Sequence, residues 1–373
     1  MSGLEEIPFL SLREVNAEYE AEILAAVRRV VESGWYILGR ECEAFEAEFA
    51  EACGVRHAIG VGNGLDAITL VLEACKLQGR LKEGDGVIVP ANSFIASALG
   101  VRQAGLRPVF CDPSEDTFNL DGSGVAAALD PGVRAVLPVH LYGRMADMVS
   151  IMEIARQRNL LVIEDAAQAH GARMAGRSAG GGGVAGAFSF YPGKNLGALG
   201  DGGCVVCDDD ATADAVRQLR NYGSRSKYVN DVPGLNSRLD ELQAAILCVK
   251  LKGMKKDAER RRSVAKRYCE SIRNERVRLP QMPADADEHV WHLFVVRVEN
   301  RESFVSHLEE RGVGSSVHYP IPIHQQGAFR DCNDLTFPFS EAAAGEVVSL
   351  PLFPTLSEER QDRVIDAVNS WNG

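Results

Sequence analysis

Seven short runs rich in β-branched and other apolar residues recur between residues 57 and 208, and helix-length amphipathic stretches separate most of them. The runs fall at 57–63, 86–91, 107–112, 134–140, 160–166, 186–191 and 202–208. Each is too short for a buried helix, and each is apolar almost throughout instead of at every second position. Such a strand is buried on both faces, which requires helices on both sides of a mostly parallel sheet. Stretches such as 65–77 and 148–159 supply those helices. A glycine-rich connection, not a helix, joins the last two runs, so one strand there is expected to run antiparallel.

After residue 208 the pattern changes. Helical periodicity covers 211–222 and 237–272, a strand follows in "VWHLFVVRV" from about 289, and another helix covers 301–311. The expected architecture is α/β: a large domain over 1–250 on a mostly parallel seven-stranded sheet, and a smaller α+β domain over 251–373. With 373 residues and 46% hydrophobic content, the core needs no metal or disulfide staple. The basic run at 250–267 reads as the solvated face of a helix, because Leu251, Met254, Ala258, Ala265 and Tyr268 fall near one side.

The formal net charge of −12 argues against nucleic-acid and anionic-membrane partners. No stretch approaches membrane-spanning length, and the N-terminal residues lack the basic and apolar regions of a secretory signal. Nine scattered cysteines read as reduced thiols in a cytoplasmic protein. Cys204 and Cys207 have C-x-x-C spacing but sit in a strand-like run, and no second pair completes a zinc site, so no metal is expected.

Three stretches at strand ends carry candidate chemistry, where open parallel sheets bind ligands. In "GVGNGLDAI" (60–68), Gly62 and Gly64 let backbone N–H groups approach an anion at a helix start. The same residues read equally as a plain strand-to-helix turn. In "VIEDAAQAHGA" (162–172), Asp165 is either a helix cap or the partner of a buried cation, and His170 alone reads as a core or rim histidine. In "FSFYPGKNLGALGDGG" (188–203), a single lysine, Lys194, lies among glycines. The spacing to Gly186 and the asparagine that follows exclude a Walker A loop. The set fits a lysine that binds a phosphorylated pyridine aldehyde covalently. Residues 62–65 would hold its phosphate, Asp165 would keep the ring nitrogen protonated, and Phe94 of "PANSFIASA" would cover the ring. Lys194 would then shuttle the Cα proton.

These stretches, with "GLNSRLDELQAAIL" and "GWYILGRECEAFEAEFA", resemble the DegT/DnrJ/StrS family of pyridoxal-phosphate-dependent sugar aminotransferases over nearly the whole chain. The resemblance implies the aspartate-aminotransferase fold (fold type I) and places the covalent role on Lys194 of the "P-x-K-N" stretch. It puts Asp165 on the ring nitrogen and Gln168 on the ring hydroxyl. It also puts Ser189, with the backbone of Gly64 and Leu65, on the phosphate, and Phe94 on the ring face. Asn236 would reach the neighbouring subunit's cofactor, which implies a homodimer with shared sites. His318, Tyr319 and His324 of "HYPIPIHQQGAF" would meet the nucleotide sugar. Leu65 stands where many members have threonine, leaving only backbone contact there.

The resemblance further implies transfer of an amino group from L-glutamate to a keto nucleotide sugar, with pyridoxamine phosphate as the intermediate form, in deoxyaminosugar biosynthesis. "GNGLDA" and "YGSRSKY" look most like the branch that aminates C3 of dTDP-linked 3-keto-6-deoxy sugars. Amination at C4 of a UDP-, GDP- or dTDP-linked 4-keto sugar stays open, as does a non-catalytic binder of cofactor or nucleotide.

Overall fold

The computed structural model describes residues 6–373. Its central sheet contains β1 (His57–Val61), β2 (Gly86–Pro90), β3 (Arg107–Cys111), β4 (Val133–Val136) and β5 (Leu161–Asp165). After the short hairpin β6–β7 (Arg173–Met174 and Arg177–Ser178), it is completed by β8 (Ala185–Ser189) and β9 (Gly203–Cys207). The order is β1-β9-β8-β5-β4-β2-β3. The pairs from β8 through β5, β4 and β2 to β3 are parallel, while β9 runs antiparallel to both β1 and β8. The glycine-rich connection therefore does what it predicts: it reverses the chain without a crossover helix.

Alternate residues of these strands feed different cores. Ile88, Val162, Phe188 and Val206 pack on one face of the sheet, and Val87, Val89, Ile163 and Val205 on the other. This two-sided burial is why the strands read as continuous apolar runs. It also explains the C-x-x-C spacing: Cys204 enters one core and Cys207 the other, so the two thiols point to opposite faces, and all nine cysteines are free.

A third core surrounds β12 (Phe294–Arg297) and β13 (Val347–Leu350), an antiparallel pair that follows the small hairpin β10–β11 (Ser224–Ser226 and Val229–Asn230). Ile7 belongs to this C-terminal core, with backbone hydrogen bonds from Ile7 N to Gly312 O and from Gly314 N to Ile7 O, each 2.8 Å.

Two expectations need correction. The long helix over 237–272 is two helices, Glu241–Leu251 and Met254–Ser271, separated at Gly253. The Tyr19 ring is packed so closely against Gly253 that a side chain there would collide with its hydroxyl. The basic run is also not uniformly solvated, because Arg261 is buried at 4% exposure. Among the described residues, no helix is long and apolar enough to cross a membrane.

Candidate active site

A cleft of about 670 Å³ opens at the carboxyl ends of β1, β5 and β8. Three strand ends deliver its floor: Asn63–Leu65, Asp165–Gln168 and Ser189–Lys194. The C-terminal core closes it with His292, His318, Tyr319 and Leu352.

The first corner is built for an anion. Asn63 caps the helix Gly64–Leu77 by accepting from Asp66 N at 2.8 Å, and the first intrahelical bond runs from Ala67 N to Asn63 O. The Gly64 and Leu65 amides precede that ladder and remain for a ligand. Asp66 is held by Ser237 Oγ (2.6 Å) and Asn63 Nδ2 (3.1 Å), which fixes the helix start. A Cβ on Gly64 would lie 2.6 Å from Ser189 Cβ, so glycine is what lets this helix end meet the Ser189 hydroxyl.

Asp165 ends β5 at 6% exposure. Its Oδ2 accepts from Ser97 Oγ at 2.7 Å and its Oδ1 from Ala167 N at 3.1 Å. The second bond is the local cap considered as one alternative, but the carboxylate also lines the cleft. Gln168 is clamped at both ends, accepting from Tyr142 N at 2.7 Å and donating to the Tyr319 hydroxyl at 3.1 Å. Phe94 is half exposed at the mouth, with its ring centroid 5.3 Å from that of Tyr319.

Lys194 sits in a turn closed by its own N–H to Tyr191 O at 2.8 Å. Surrounding protein strips water from the ammonium and lowers its pKa from 10.5 to about 8, against the opposing pull of Asp165. At neutral pH roughly 300-fold more of it is free amine than an ordinary lysine would offer. His170 is neutral in its place under Phe188 and Phe190, because burial and the Lys194 charge lower its pKa to about 3. His318 is likewise held at about 4, by burial and Lys194, with Nδ1 2.8 Å from Ser349 Oγ.

The cleft thus gathers Gly64, Leu65, Phe94, Asp165, Gln168, Ser189, Lys194, His318 and Tyr319. Two expected residues lie elsewhere. His324 is fully buried, packed against Phe110 and Phe337 with Nε2 3.1 Å from Glu341, so it does not meet the cleft. Asn236 is exposed outside the cleft, bridged to Asn221. Sequence reasoning missed Ser97, His292 and Arg261, which line the cleft, and Tyr142 and Asn195, which hold Gln168 and His292; Ser97 and Asn195 lie inside the quoted motifs without drawing notice, and the other three reach the site only through the fold.

A model of the DegT/DnrJ/EryC1/StrS aminotransferase family matches residues 17–369. The chain belongs to this family. The aminotransferase is 49% identical, over 98% of its length and 99% of the relative's, to dTDP-3-amino-3,6-dideoxy-alpha-D-galactopyranose transaminase of Aneurinibacillus thermoaerophilus. The crystal structure of DesV from S. venezuelae superimposes with a TM-score of 0.94 at 45% identity, covering 99% of both chains. NtdA of Bacillus subtilis, solved with bound pyridoxamine phosphate, gives 0.90 at 32% identity over 98% of this chain and 85% of that one. The protein is a pyridoxal-phosphate-dependent sugar transaminase of fold type I. Its residues fit the cofactor: an anion corner that admits only glycine, a buried carboxylate, and a lysine desolvated enough to be nucleophilic. When bound, that cofactor supplies a carbonyl for the lysine and an electron sink for Cα–H cleavage.

Proposed function

We propose that this chain moves an amino group from L-glutamate to C3 of a dTDP-linked 3-keto-6-deoxyhexose, as a cytoplasmic homodimer. The observation that carries the substrate is the 49% identity, nearly end to end, to a transaminase named for a dTDP-3-amino sugar. An intact set of Lys194, Asp165 and Gln168 in one cleft supports catalysis over mere binding.

In this reading Lys194 Nζ holds the cofactor, then takes and returns the proton at the carbon bearing the amine. Asp165, with Ser97 and Ala167 fixing its orientation, keeps the ring nitrogen protonated. Gln168 has its oxygen committed to Tyr142, so its Nε2 donates to the ring hydroxyl. Ser189 and the amides of Gly64 and Leu65 take the phosphate, and Phe94 covers the ring. His318 and Tyr319 face the nucleotide sugar. Asn236 serves the partner's site; its exposure beside Leu235 and Tyr222, both exposed apolar side chains, supports a covering subunit.

The test is incubation with L-glutamate and a panel of keto nucleotide sugars, with products identified by mass and NMR. Amination at C3 of the dTDP-linked 3-keto sugar is expected. Amination of 4-keto sugars alone refutes the substrate, and a monomer in sedimentation refutes the shared site.

A further inference from the structure

Lys250 is a buried ammonium that the reaction described above leaves unused. It stands in the last turn of the helix Glu241–Leu251 at 6% exposure. A lysine there ordinarily reaches into water or serves its own helix's final carbonyls. This one turns inward: Nζ donates to Gly197 O at 2.5 Å and to Asn16 Oδ1 at 2.9 Å. Both acceptors are neutral. Burial lowers the pKa to about 8, and Arg261 adds to the lowering while Asp257 opposes it.

A buried ammonium bound to neutral oxygens adds less stability than an apolar side chain of similar volume, so its place needs another reason. Its acceptors supply one. Gly197 closes the turn that carries Lys194: Ala198 N donates to Phe190 O and Lys194 N to Tyr191 O, each at 2.8 Å. Gly197 lies so tightly against that turn that a Cβ on it would stand 2.3 Å from Pro192 O. It has no side chain to anchor it, and its buried backbone carbonyl is the handle. Gln243, seven residues before Lys250 and so on the same helix face, accepts from Leu199 N at 2.9 Å. Asn16 belongs to the helix Leu12–Ala17, which follows Phe9 and Leu10 of the cleft wall. One ammonium thus joins the turn bearing Lys194 to the N-terminal wall of the cleft.

We infer that Lys250 is a positioning residue: by holding Gly197 O it fixes the turn from which Lys194 meets the cofactor carbonyl. The inference rests on the reading of Lys194 as the lysine that binds the cofactor. In that step the Lys194 nitrogen adds to the carbonyl carbon and water leaves, so the rate depends on where Nζ stands. The phosphate corner and Asp165 come from other strand ends, and the bonds of Lys250 reach neither.

The experiment uses the full chain stripped of cofactor and the variants Lys250→Met and Lys250→Gln. Both variants remove the charge, and only the second keeps an N–H donor. Stopped-flow absorbance follows capture of pyridoxal phosphate across pH, and borohydride reduction with peptide mass mapping locates the bond. Calorimetry measures the Kd for pyridoxamine phosphate, which has no carbonyl and binds without that bond. In Lys250→Met, capture is expected to slow roughly 10- to 100-fold at every pH. Its pyridoxamine phosphate Kd and thermal melting are expected to stay unchanged, because loss of a buried charge offsets the lost hydrogen bonds. Lys250→Gln is expected to fall between Lys250→Met and the wild type. Capture at the wild-type rate in Lys250→Met overturns the inference. A rate profile that only slides along the pH axis also overturns it, since Lys250 would then act as a charge felt at a distance. Equal losses of capture and of pyridoxamine phosphate binding, or failure of both variants to fold, would reduce Lys250 to a support of the fold and refute the positioning role. A wild-type bond that maps to a residue other than Lys194 overturns the cofactor reading and the inference with it.

Discussion

Gly64→Ala tests the anion corner by geometry. The added Cβ would stand 2.6 Å from Ser189 Cβ and 3.1 Å from Ser189 Cα, where apolar carbons settle at about 3.5–4.0 Å. Neither atom is the end of a flexible side chain. Ser189 is locked in β8, paired with Gly203 of β9, and the preceding residue pairs bind β8 to β5. The helix start must therefore retreat by about 1 Å. Gly203 blocks lateral escape, since it already packs against the Asn63 carbonyl. The strain is expected to cost about 1–3 kcal/mol of stability. It also withdraws the Gly64 and Leu65 amides from the phosphate. Weakening two charge-assisted hydrogen bonds by roughly half predicts a 10- to 100-fold higher cofactor Kd, or about 1.4–2.7 kcal/mol. Equilibrium titration of the cofactor-free protein with pyridoxal phosphate measures it, alongside thermal melting. Gly345→Ala is the control, because nothing lies within 4 Å of its added carbon; its cofactor Kd should be unchanged. A Gly64→Ala protein with wild-type Kd and melting would show that the corner is not the phosphate site.

Three further outcomes follow from the same cleft. Lys194→Ala should fold, lose all amino transfer, and gain no cofactor mass on borohydride treatment; measurable turnover in that variant refutes the covalent role. Asp165→Asn should still bind cofactor but lose about 100-fold or more in the rate of the first half-reaction, since the ring nitrogen loses its anionic partner; an unchanged rate would reduce Asp165 to a helix cap. Capture of pyridoxal phosphate by the cofactor-free protein requires neutral Lys194, whose pKa is lowered to about 8. The capture rate should climb about tenfold per pH unit below that value and level above it, and a rise continuing through pH 10 in stopped-flow measurements would contradict the desolvated lysine.

The sheet was legible because its strands are buried on both faces. Val205 and Val206 enter opposite cores, so no polar alternation interrupts the apolar run. The break at Gly253 was not legible. Helical periodicity passes through it, and the neighbour that leaves room only for glycine there is the Tyr19 ring, more than two hundred residues earlier in the chain. Arg261 was hidden for a related reason. In a run of lysines and arginines every side chain reads as solvated, and only the packing of 291–292 and Leu352 around the helix singles one out. His324 shows the opposite failure: it lies five residues beyond Tyr319, but the turn between them carries it out of the cleft and against Phe110.

Two adjacent carboxylates on β5 show how the structure separates roles that sequence presents as one motif. Glu164 and Asp165 point to opposite faces of the sheet, as successive strand residues must. Glu164 is fully buried, and it accepts from Gly180 N (2.9 Å), Gly182 N (2.7 Å) and Gly183 N (2.7 Å). It also accepts from His140 Nε2 at 2.8 Å, whose proton is assigned there because Nδ1 accepts from Ala146 N. Against the desolvation of full burial, His140 and the glycine amides keep its pKa below the ordinary carboxylate range. The "AGGGG" stretch is thus a cage of N–H donors that leaves this carboxylate nothing to offer a ligand. Asp165 receives only two donors and keeps capacity toward the cleft. Where the protein satisfies a buried polar group completely, the group holds the fold; where it leaves one short, beside a desolvated lysine, a ligand completes the set.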